Sequence, residues 1–345
     1  MTQDEADGED WRSVSTRPPD AETIRAAQER ARKPGRGRSA EHPAQIPAKG
    51  WRDILTRVFW AVPQDRVLST AGGVAFFALL STFPGIATIV SLYSLFADPV
   101  VIGEHLSALQ GVLPSGVLDL IADQLQHVAK QGAGKLGTAS LLSFLIAFWS
   151  ANSGVAALFD ALNVIYRERE KRDLMRVYLT TFLFTLGGAI VTVAAIATVV
   201  GLPYLLNQLG FGTGTDTLLR VLRWPVMLVV VSLGLSLVYR YGPSRRTAKW
   251  RWVSYGSTLA ALGWVGTSTV FSLYVATFDS YNRIYGSLGA GIGFMTWIWL
   301  SVVIVLLGAE LNSEMERQTA RDSTVGQPKP LGSRKAFAAD TVGPP

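Results

Sequence analysis

The sequence predicts an all-α polytopic membrane protein with six transmembrane helices and both termini in the cytoplasm. The segment Ala71–Phe96 runs for 26 residues without a charge. As an α-helix it is about 39 Å long, which exceeds the ~30 Å hydrocarbon core of a bilayer. Only 17% of the 345 residues are charged, whereas soluble proteins carry about 25%. The lysines and arginines, finally, cluster in the polar segments between apolar runs.

The chain begins with a polar segment, residues 1–48. It predicts a disordered cytoplasmic tail, because its apolar residues are too few to offset the entropy lost on ordering. The second half of this tail is basic and can rest on anionic lipid headgroups. Residues 51–67 then predict an amphipathic helix in the cytoplasmic interface, with Trp51 and Phe59 on its apolar face and Arg57 on the opposite face.

Six apolar runs predict the spans: Ala71–Phe96, Ala139–Ile165, Tyr178–Leu206, Thr217–Val238, Val253–Phe278 and Gly291–Leu311. Of the 32 lysines and arginines, 27 lie before residue 69, in 167–176, in 240–251 or after Glu316. Basic loops stay in the cytoplasm, so this distribution orients the spans. The transmembrane domain is expected to cover 49–318, and residues 319–345 are expected to form a second disordered cytoplasmic tail.

The external loop 97–138 is much longer than the others. Apolar residues at helical spacing on both sides of Pro114 predict two short amphipathic helices, the second capped by Ser115. These helices either lie on the lipid or cover the mouth of a cavity.

The residue types exclude several classes of chemistry. The chain has no cysteine and three histidines, which removes thiolate nucleophiles and thiolate metal sites. No phosphate-binding loop, zinc-binding histidine cluster or nucleophile elbow is found in the sequence. We therefore expect no catalytic, cofactor-binding or metal-binding residues, no cofactor and no nucleic-acid partner.

Charged residues near the cytoplasmic ends of the spans form one candidate site: Asp160, Arg167 and Glu310. Each is costly within a membrane, by roughly 2.5 to 3.5 kcal/mol at the centre of a span. The ordinary interpretation is an ion-pair cluster that locks the bundle. The functional alternative is a gate or a proton-linked pair at a cytoplasmic vestibule.

A second candidate site lies within the spans. Ser150, Asn152 and Ser153 occupy the middle of the second span, where they either stitch helices together or line a polar path. Pro84 deprives the Leu80 carbonyl of its helix bond. That carbonyl needs a partner in lipid, such as a neighbouring hydroxyl or a polar group of the second span. Pro84 is thus predicted to face Ser150 and Asn152 as part of a cavity wall.

Arg220 and Arg223 occupy the first turn of the fourth predicted span. A helix N-terminus carries partial positive charge, so the helix dipole does not stabilise them there. They either extend to lipid phosphates or hold an anionic headgroup or substrate at the external face.

Three segments resemble the YihY/virulence factor BrkB family of bacterial inner-membrane proteins: GGVAFFALLSTFPGI, LIAFWSANSGVAALFDALNVIY and RIYGSLGAGIGFMTWIWLSVVIVLLGAELNSEMER. The resemblance covers about residues 50–318 and implies six transmembrane helices with cytoplasmic termini. Members are often labelled ribonuclease BN. That label conflicts with this sequence, which lacks a cluster of metal ligands, and we interpret it as a misassignment. The resemblance supplies no catalytic residues.

The leading functional hypothesis is transport of a lipid or small solute across or within the cell envelope. The alternatives are a structural or partner-binding membrane protein and, third, a ribonuclease. The expected partner is the lipid bilayer, with anionic lipid headgroups as candidate ligands. Self-association and binding of a protein partner are left open by the sequence.

Overall fold

The computed structural model describes residues 19–93, 133–196, 213–277 and 289–345, and these residues are predominantly α-helical. The helices are α1 Ala21–Ala31, α2 Ala48–Gln64, α3 Val67–Tyr93, α4 Ala133–Ile165, α5 Leu174–Ile196, α6 Thr213–Tyr241, α7 Trp250–Thr277, α8 Gly289–Glu316 and α9 Phe337–Asp340. A 3₁₀ turn covers Pro43–Gln45, and an isolated antiparallel bridge joins Ala248 to Thr324. The all-α class is confirmed for this part of the chain.

The amphipathic helix and the first span are separated by a sharp corner. Helix α2 extends one residue past Pro63, and the chain turns at Asp65 and Arg66, where Arg66 has φ 50°. The sequence predicts this helix over 51–67, so the structure moves it three residues towards the N-terminus. The faces also differ from the expectation. Arg57 is turned towards the protein, whereas Phe59 is 70% exposed and available to lipid.

Helix α8 occupies the centre of the bundle and packs against α2, α3, α4, α7 and α9. Its approach to α7 is close. A Cβ atom on Gly308 would lie 2.7 Å from Ala260 Cβ and 2.6 Å from the Tyr239 hydroxyl oxygen. The Asn312 side chain accepts a hydrogen bond from Gly256 N–H at 2.9 Å and donates one to the Val253 carbonyl at 3.1 Å. Small residues and one buried amide therefore join the two helices.

Large apolar side chains are exposed along the helices, for example Leu142, Leu183, Ile190 and Val270, each more than half exposed. Three helical segments are long and apolar enough to cross a bilayer: Leu141–Ile165, Leu174–Ala195 and Gly291–Glu316. Two further apolar segments, Val67–Thr82 and Pro225–Tyr241, are shorter. Among the described residues, α7 belongs to neither the long nor the short apolar segments, and it is rich in Ser, Thr and Gly. Spanning helices are thus supported, and their number, six, stays a prediction.

The four basic segments of the sequence meet at one end of the bundle, which we call the tail end. Hydrogen bonds between backbone or side-chain groups join them: Arg38 to the Gly343 carbonyl at 2.9 Å, Phe337 N–H to Glu168 at 2.7 Å, Arg246 N–H to the Lys335 carbonyl at 3.1 Å, and Lys249 N–H to the Ser323 carbonyl at 2.8 Å. The two described tails therefore lie on the same side of the bundle as the α4–α5 and α6–α7 loops.

The structure contradicts the expected disorder of both tails wherever it describes them. Residues 19–47 contain α1, and residues 319–345 pack with many buried side chains. Arg334 explains this order, because its guanidinium donates to the carbonyls of Lys329, Ala320 and Ala339. Polar groups thus find partners inside the folded tail, and a large apolar content is not needed. Residues 1–18 lie outside the described residues.

The long external loop predicted at 97–138 is mostly outside the described residues. Its last part, 133–138, is the start of α4, so this helix begins six residues before the predicted span Ala139–Ile165. The ends predicted for the first, third and fifth spans, at Phe96, Leu206 and Phe278, also fall outside the described ranges.

Candidate functional site

The tail end holds a group of six ionisable residues that we call the charged cluster. Its members are Arg57 from α2, Asp65 from the α2–α3 corner, Arg167 after α4, and Glu310, Glu314 and Arg317 from the end of α8. Glu310, Glu314 and Arg317 follow one another at intervals of four and three residues, so they share one face of the helix. Three acidic and three basic side chains are gathered there.

Glu314 bonds directly to two arginines of the cluster. Its carboxylate accepts hydrogen bonds from Arg57 Nε and from Arg317 Nη1, and its side chain is 4% exposed. Arg57 also donates to Gln318 Oε1 at 2.8 Å and to the Pro344 carbonyl at 2.7 Å. The Arg57 side chain therefore ties α2, the end of α8 and the C-terminal tail to one point.

Asp65 and Glu310 form a carboxyl pair inside the charged cluster. Burial raises the pKa of Asp65, and the hydrogen bond with Glu310 and the charge of Arg167 oppose that rise. Glu310 is 1% exposed, and its Oε1 has no hydrogen-bond partner within the described part of the chain. Two neighbouring carboxyl groups disfavour the ionisation of both, so one proton can be shared between Asp65 and Glu310.

Arg167 reaches the cluster through an unusual backbone conformation. Helix α4 ends in a Schellman motif, in which Arg167 N–H bonds to the Val164 carbonyl at 2.9 Å and Glu168 N–H to the Asn163 carbonyl at 2.7 Å. Arg167 has φ 53°, at the position that glycine usually fills. A side chain costs roughly 1 to 2 kcal/mol there. In the cluster, burial and the charge of Arg317 disfavour the charged guanidinium, while the charges of three acidic residues favour it: Asp65, Glu314 and Glu310.

A second ion pair lies beside the charged cluster. Arg245 donates to Glu316 at 2.7 and 2.9 Å, and both side chains are fully buried. Burial alone lowers the pKa of Arg245, but the charge of Glu316 raises it above its ordinary value. The Arg245 guanidinium stacks 4.0 Å from the centre of the Tyr166 ring, and the Ser323 hydroxyl donates to Glu316 at 2.8 Å. This pair connects the α6–α7 loop to α8 and the tail.

The sequence groups Asp160 with Arg167 and Glu310, and the structure separates them. Asp160 is exposed, and the charges that act on it belong to Glu170 and Arg172. Arg167 and Glu310 do come together, with Asp65 as the additional acid. Seven residues are about two helical turns, so Asp160 and Arg167 would share a face of an uninterrupted helix. Helix α4 ends before Arg167, and the αL turn there redirects the chain and separates the two side chains.

The mid-span polar residues occupy different environments. Ser150 is 1% exposed and its hydroxyl has no partner within the described residues, whereas Ser153 donates to its own helix at the Trp149 carbonyl. Asn152 accepts a hydrogen bond of 3.3 Å from Thr185 on α5. That hydrogen bond joins α4 to α5, as expected for a polar residue that holds two helices together. Within the described side chains, these residues share a helix but no common hydrogen-bond network.

Pro84 does not interrupt its helix, because α3 continues from Val67 to Tyr93. Its side chain is half-buried. The hydroxyls of Ser81 and Thr82 are candidate partners for the Leu80 carbonyl, and both donate instead to the carbonyl of Ala78.

Helices α3 and α4 are in close contact in this region. A Cβ atom on Gly154 would lie 3.5 Å from Phe77 Cβ. The helices run antiparallel, so Ser150, one turn before Gly154, lies at about the level of Ser81. Whether Pro84 lines a cavity with Ser150 and Asn152 remains a prediction.

Arg220 and Arg223 lie in α6, which begins at Thr213. The helix starts four residues before the predicted span, so these arginines are two to three turns inside it and not in its first turn. Their side chains lie outside the described ones.

Sequence reasoning missed four members of the cluster as site residues, namely Arg57, Asp65, Glu314 and Arg317. The signal for Glu314 is the spacing of Glu310, Glu314 and Arg317 along α8. The signal for Arg57 is its position as the last charged residue on the polar face of the amphipathic helix α2. Asp65 carries no local signal, because only the folded chain places it against Glu310.

Comparison with known proteins places the chain in a family. The model of the family described as virulence factor BrkB matches residues 58–331. The chain belongs to the virulence factor BrkB family. The BrkB match contains α3 to α8 and includes Asp65, Arg167, Glu310, Glu314 and Arg317, with Arg57 one residue before its start.

Relatives of this BrkB-family chain carry two kinds of name. A protein of Bacillus subtilis named putative ribonuclease-like protein YfkH is 30% identical over 260 residues, which cover 72% of this chain and 90% of the relative. A UPF0761 membrane protein of Cronobacter sakazakii is 27% identical over 80% of this chain and 93% of its own length. Another from Vibrio parahaemolyticus is 28% identical over 74% and 79%. No solved structure was found to match the chain.

The membrane assignment is therefore confirmed by the names of the relatives and by the apolar helices. Within the described part of the chain, no three histidine, aspartate or glutamate side chains are grouped to hold a metal ion. That this BrkB-family protein is not an enzyme remains a prediction, because a ribonuclease-like name is present among its relatives.

Proposed function

We propose that this protein transports a lipid or a small solute across or within the bacterial cell envelope. In this proposal it resides in the inner membrane with both termini in the cytoplasm. The observation that carries the proposal is the charged cluster, in which Glu310 on a span faces Asp65 and has a carboxylate oxygen without a partner among the described residues.

The free-energy cost of placing charges within a span supports a functional interpretation of the cluster. A charged residue within a span costs roughly 2.5 to 3.5 kcal/mol, and such residues commonly mark the paths of solutes and ions. A carboxyl pair that shares a proton also offers a means of coupling to a proton gradient. Since the sequence has no nucleotide-binding loop, transport in this proposal is passive or driven by an ion gradient.

The charge distribution supports the orientation. The four basic segments that hold 27 of the 32 lysines and arginines meet at the tail end. Basic segments remain in the cytoplasm during insertion, so the tail end is assigned to that side. The proposed path further includes the cavity candidates Pro84, Ser150, Asn152 and Ser153, and the external anion candidates Arg220 and Arg223.

The proposal is tested in liposomes that contain the purified protein. We expect labelled phospholipid or a small anion to move across the membrane, with a rate that depends on an imposed pH gradient. Glu310→Gln removes the proposed coupling group and should abolish that dependence. Asp160→Asn is the matched control, because it removes one acid at the same end of the bundle but outside the cluster. A protein that moves neither probe contradicts transport.

A structural or partner-binding function is the second candidate, and the bonds between the cluster and the C-terminal tail favour it. Arg57, for example, joins Glu314 to the Pro344 carbonyl. Under this alternative, Glu310→Gln lowers stability in micelles, a stable protein partner co-purifies, and neither probe is transported. Cleavage of RNA by the highly purified protein, abolished by one substitution, would instead establish the ribonuclease function.

A further inference from the structure

A basic groove of about 330 Å³ lies where the N-terminal tail crosses the C-terminal tail. Residues 31–35 and 37–39 form one side of it, and Ala320 and Arg321 form the other. All four ionisable residues that line the groove are basic: Arg32, Lys33, Arg38 and Arg321. Arg32, Lys33 and Arg321 are exposed at the rim, and Arg38 is 5% exposed.

Arg38 is a buried cation that lacks a carboxylate partner within the described residues. Its Nη1 donates to the Gln318 carbonyl at 3.1 Å and its Nη2 to the Gly343 carbonyl at 2.9 Å. Its Nε–H is buried and has no partner there. Neutral carbonyls satisfy two of its donors but leave its charge uncompensated, and a buried charge without an opposite charge is unfavourable.

The surroundings of Arg38 make its positive charge still less favourable. Burial lowers the pKa of Arg38 to about 10, and the neighbouring charge of Arg57 acts in the same direction, while Asp53 opposes it. Asp53 is already bound by Arg36, whose Nη1 lies 2.6 and 2.7 Å from its two oxygens. An anion in the groove would supply the missing negative charge.

We propose that this groove binds a phosphate group, with Arg38 at its base and Arg32, Lys33 and Arg321 at its rim. Guanidinium groups match the oxygens of phosphate in both charge and geometry. The phosphate belongs either to a lipid headgroup at the bilayer surface or to a soluble phosphate compound. The site does not depend on the transport function, since it is formed by the two tails and not by the spans.

The test uses the full chain with a fluorophore in the groove. Because the protein has no cysteine, Ser39→Cys introduces a single labelling position among the lining residues. Inorganic phosphate is titrated in detergent free of anionic lipid, with chloride at equal ionic strength as the reference. In parallel, the labelled protein is placed in nanodiscs of phosphatidylcholine, with or without phosphatidylglycerol.

We expect a saturable fluorescence change either on titration with phosphate or on adding phosphatidylglycerol. A response to phosphate indicates a soluble phosphate compound as the ligand, and a response to phosphatidylglycerol indicates a lipid headgroup. Arg32→Gln with Lys33→Gln should weaken the response by at least about tenfold, as expected for lost charge-assisted bonds. Arg38→Gln should do the same, and the rim variant remains informative if Arg38→Gln loosens the tails. The control is Arg25→Gln, an exposed arginine of α1 that does not line the groove.

Three outcomes would overturn the proposal. These are no response in either arm, an equal response to chloride, and an equal loss in Arg25→Gln, which would indicate non-specific attraction to a basic tail.

Discussion

Arg245 and Glu316 form a bidentate ion pair whose two side chains are fully buried, with nitrogen–oxygen distances of 2.7 and 2.9 Å. The pair joins the loop before α7 to the last residue of α8, next to the charged cluster. Because neither side chain contacts solvent, each charge depends on the other for compensation. The end of the bundle is therefore sensitive to the loss of either partner.

Replacing one member of this pair should destabilise the protein strongly. Arg245→Met leaves Glu316 buried without its partner, and we expect the free energy of unfolding to fall by about 3 to 5 kcal/mol. Arg245→Met combined with Glu316→Leu should recover most of this loss, because no buried charge remains. Denaturant unfolding in detergent micelles provides the measurement.

Arg176→Met is the control for that experiment. Arg176 pairs with Asp173 at 3.2 Å, and both side chains are mostly exposed, so the change should cost no more than about 1 kcal/mol. A double variant as unstable as Arg245→Met alone would show that the pair is not held together by charge.

Asp65 should make stability depend on pH with a defined sign. Burial raises its pKa above the ordinary 3.8. At a pH between the ordinary pKa and the raised pKa, the folded protein holds a proton that the unfolded chain has released. The free energy of unfolding therefore falls as pH rises through this window. The groups that act on Asp65 are Glu310, Glu314, Arg167 and Arg317.

Asp65→Asn should remove this contribution and flatten the curve of unfolding free energy against pH. Burial also raises the pKa of Glu168, so the difference between wild type and variant is the quantity to compare, since Glu168 is common to both. An unchanged slope in Asp65→Asn would exclude a proton held at the carboxyl pair.

The contact between α7 and α8 should reject even a small side chain. Gly308→Ala places a methyl group 2.6 Å from the Tyr239 hydroxyl oxygen and 2.7 Å from Ala260 Cβ. We expect a loss of about 1 to 3 kcal/mol in unfolding free energy, because the helices must separate. Gly266→Ala is the matched control, since its methyl group would meet no atom within 4 Å among the described residues. Since alanine has the higher helix propensity at both positions, an equal loss in both variants would show that the close contact at Gly308 is not the cause.

The spans followed from the sequence more closely than the site did. The apolar run Gly291–Leu311 predicts the core of α8, Gly289–Glu316, because hydropathy is a local property of the chain. The charged cluster, in contrast, joins residues that are far apart in the sequence. Glu310 and Arg167 were identifiable as costly charges near the ends of spans, but Asp65 becomes a site residue only when α2 and α3 fold against α8.

The tails show a different limit of sequence reasoning. A polar composition rich in Gly and Pro predicts disorder when apolar burial is the only source of order. Arg334 and Asp340 supply another source, because they bind backbone groups of the tail itself. Such bonds depend on the path of the chain, which composition does not encode.

The order of the C-terminal tail can be tested by proteolysis. Asp340 accepts hydrogen bonds from Gly332 N–H at 2.8 Å and Arg334 N–H at 2.9 Å, and Arg334 in turn donates to the Ala320 carbonyl at 2.7 Å. Asp340→Ala removes the acceptor of these backbone groups and should release the segment around Lys335. Bonds to a charged group contribute about 1.5 to 3 kcal/mol, so trypsin should cleave after Arg334 and Lys335 at least about tenfold faster.

Asp173→Ala serves as the control, because it removes an exposed acid at the same end of the bundle, whose ion pair is with the neighbouring Arg176. Its cleavage rate should match that of the wild type. The folded tail resists trypsin because cleavage requires local opening, and the rate then reports how often the bonds of Asp340 break. If the wild-type tail is cleaved as rapidly as the Asp340→Ala tail, these bonds do not hold it, and the disorder expected from composition is the better description.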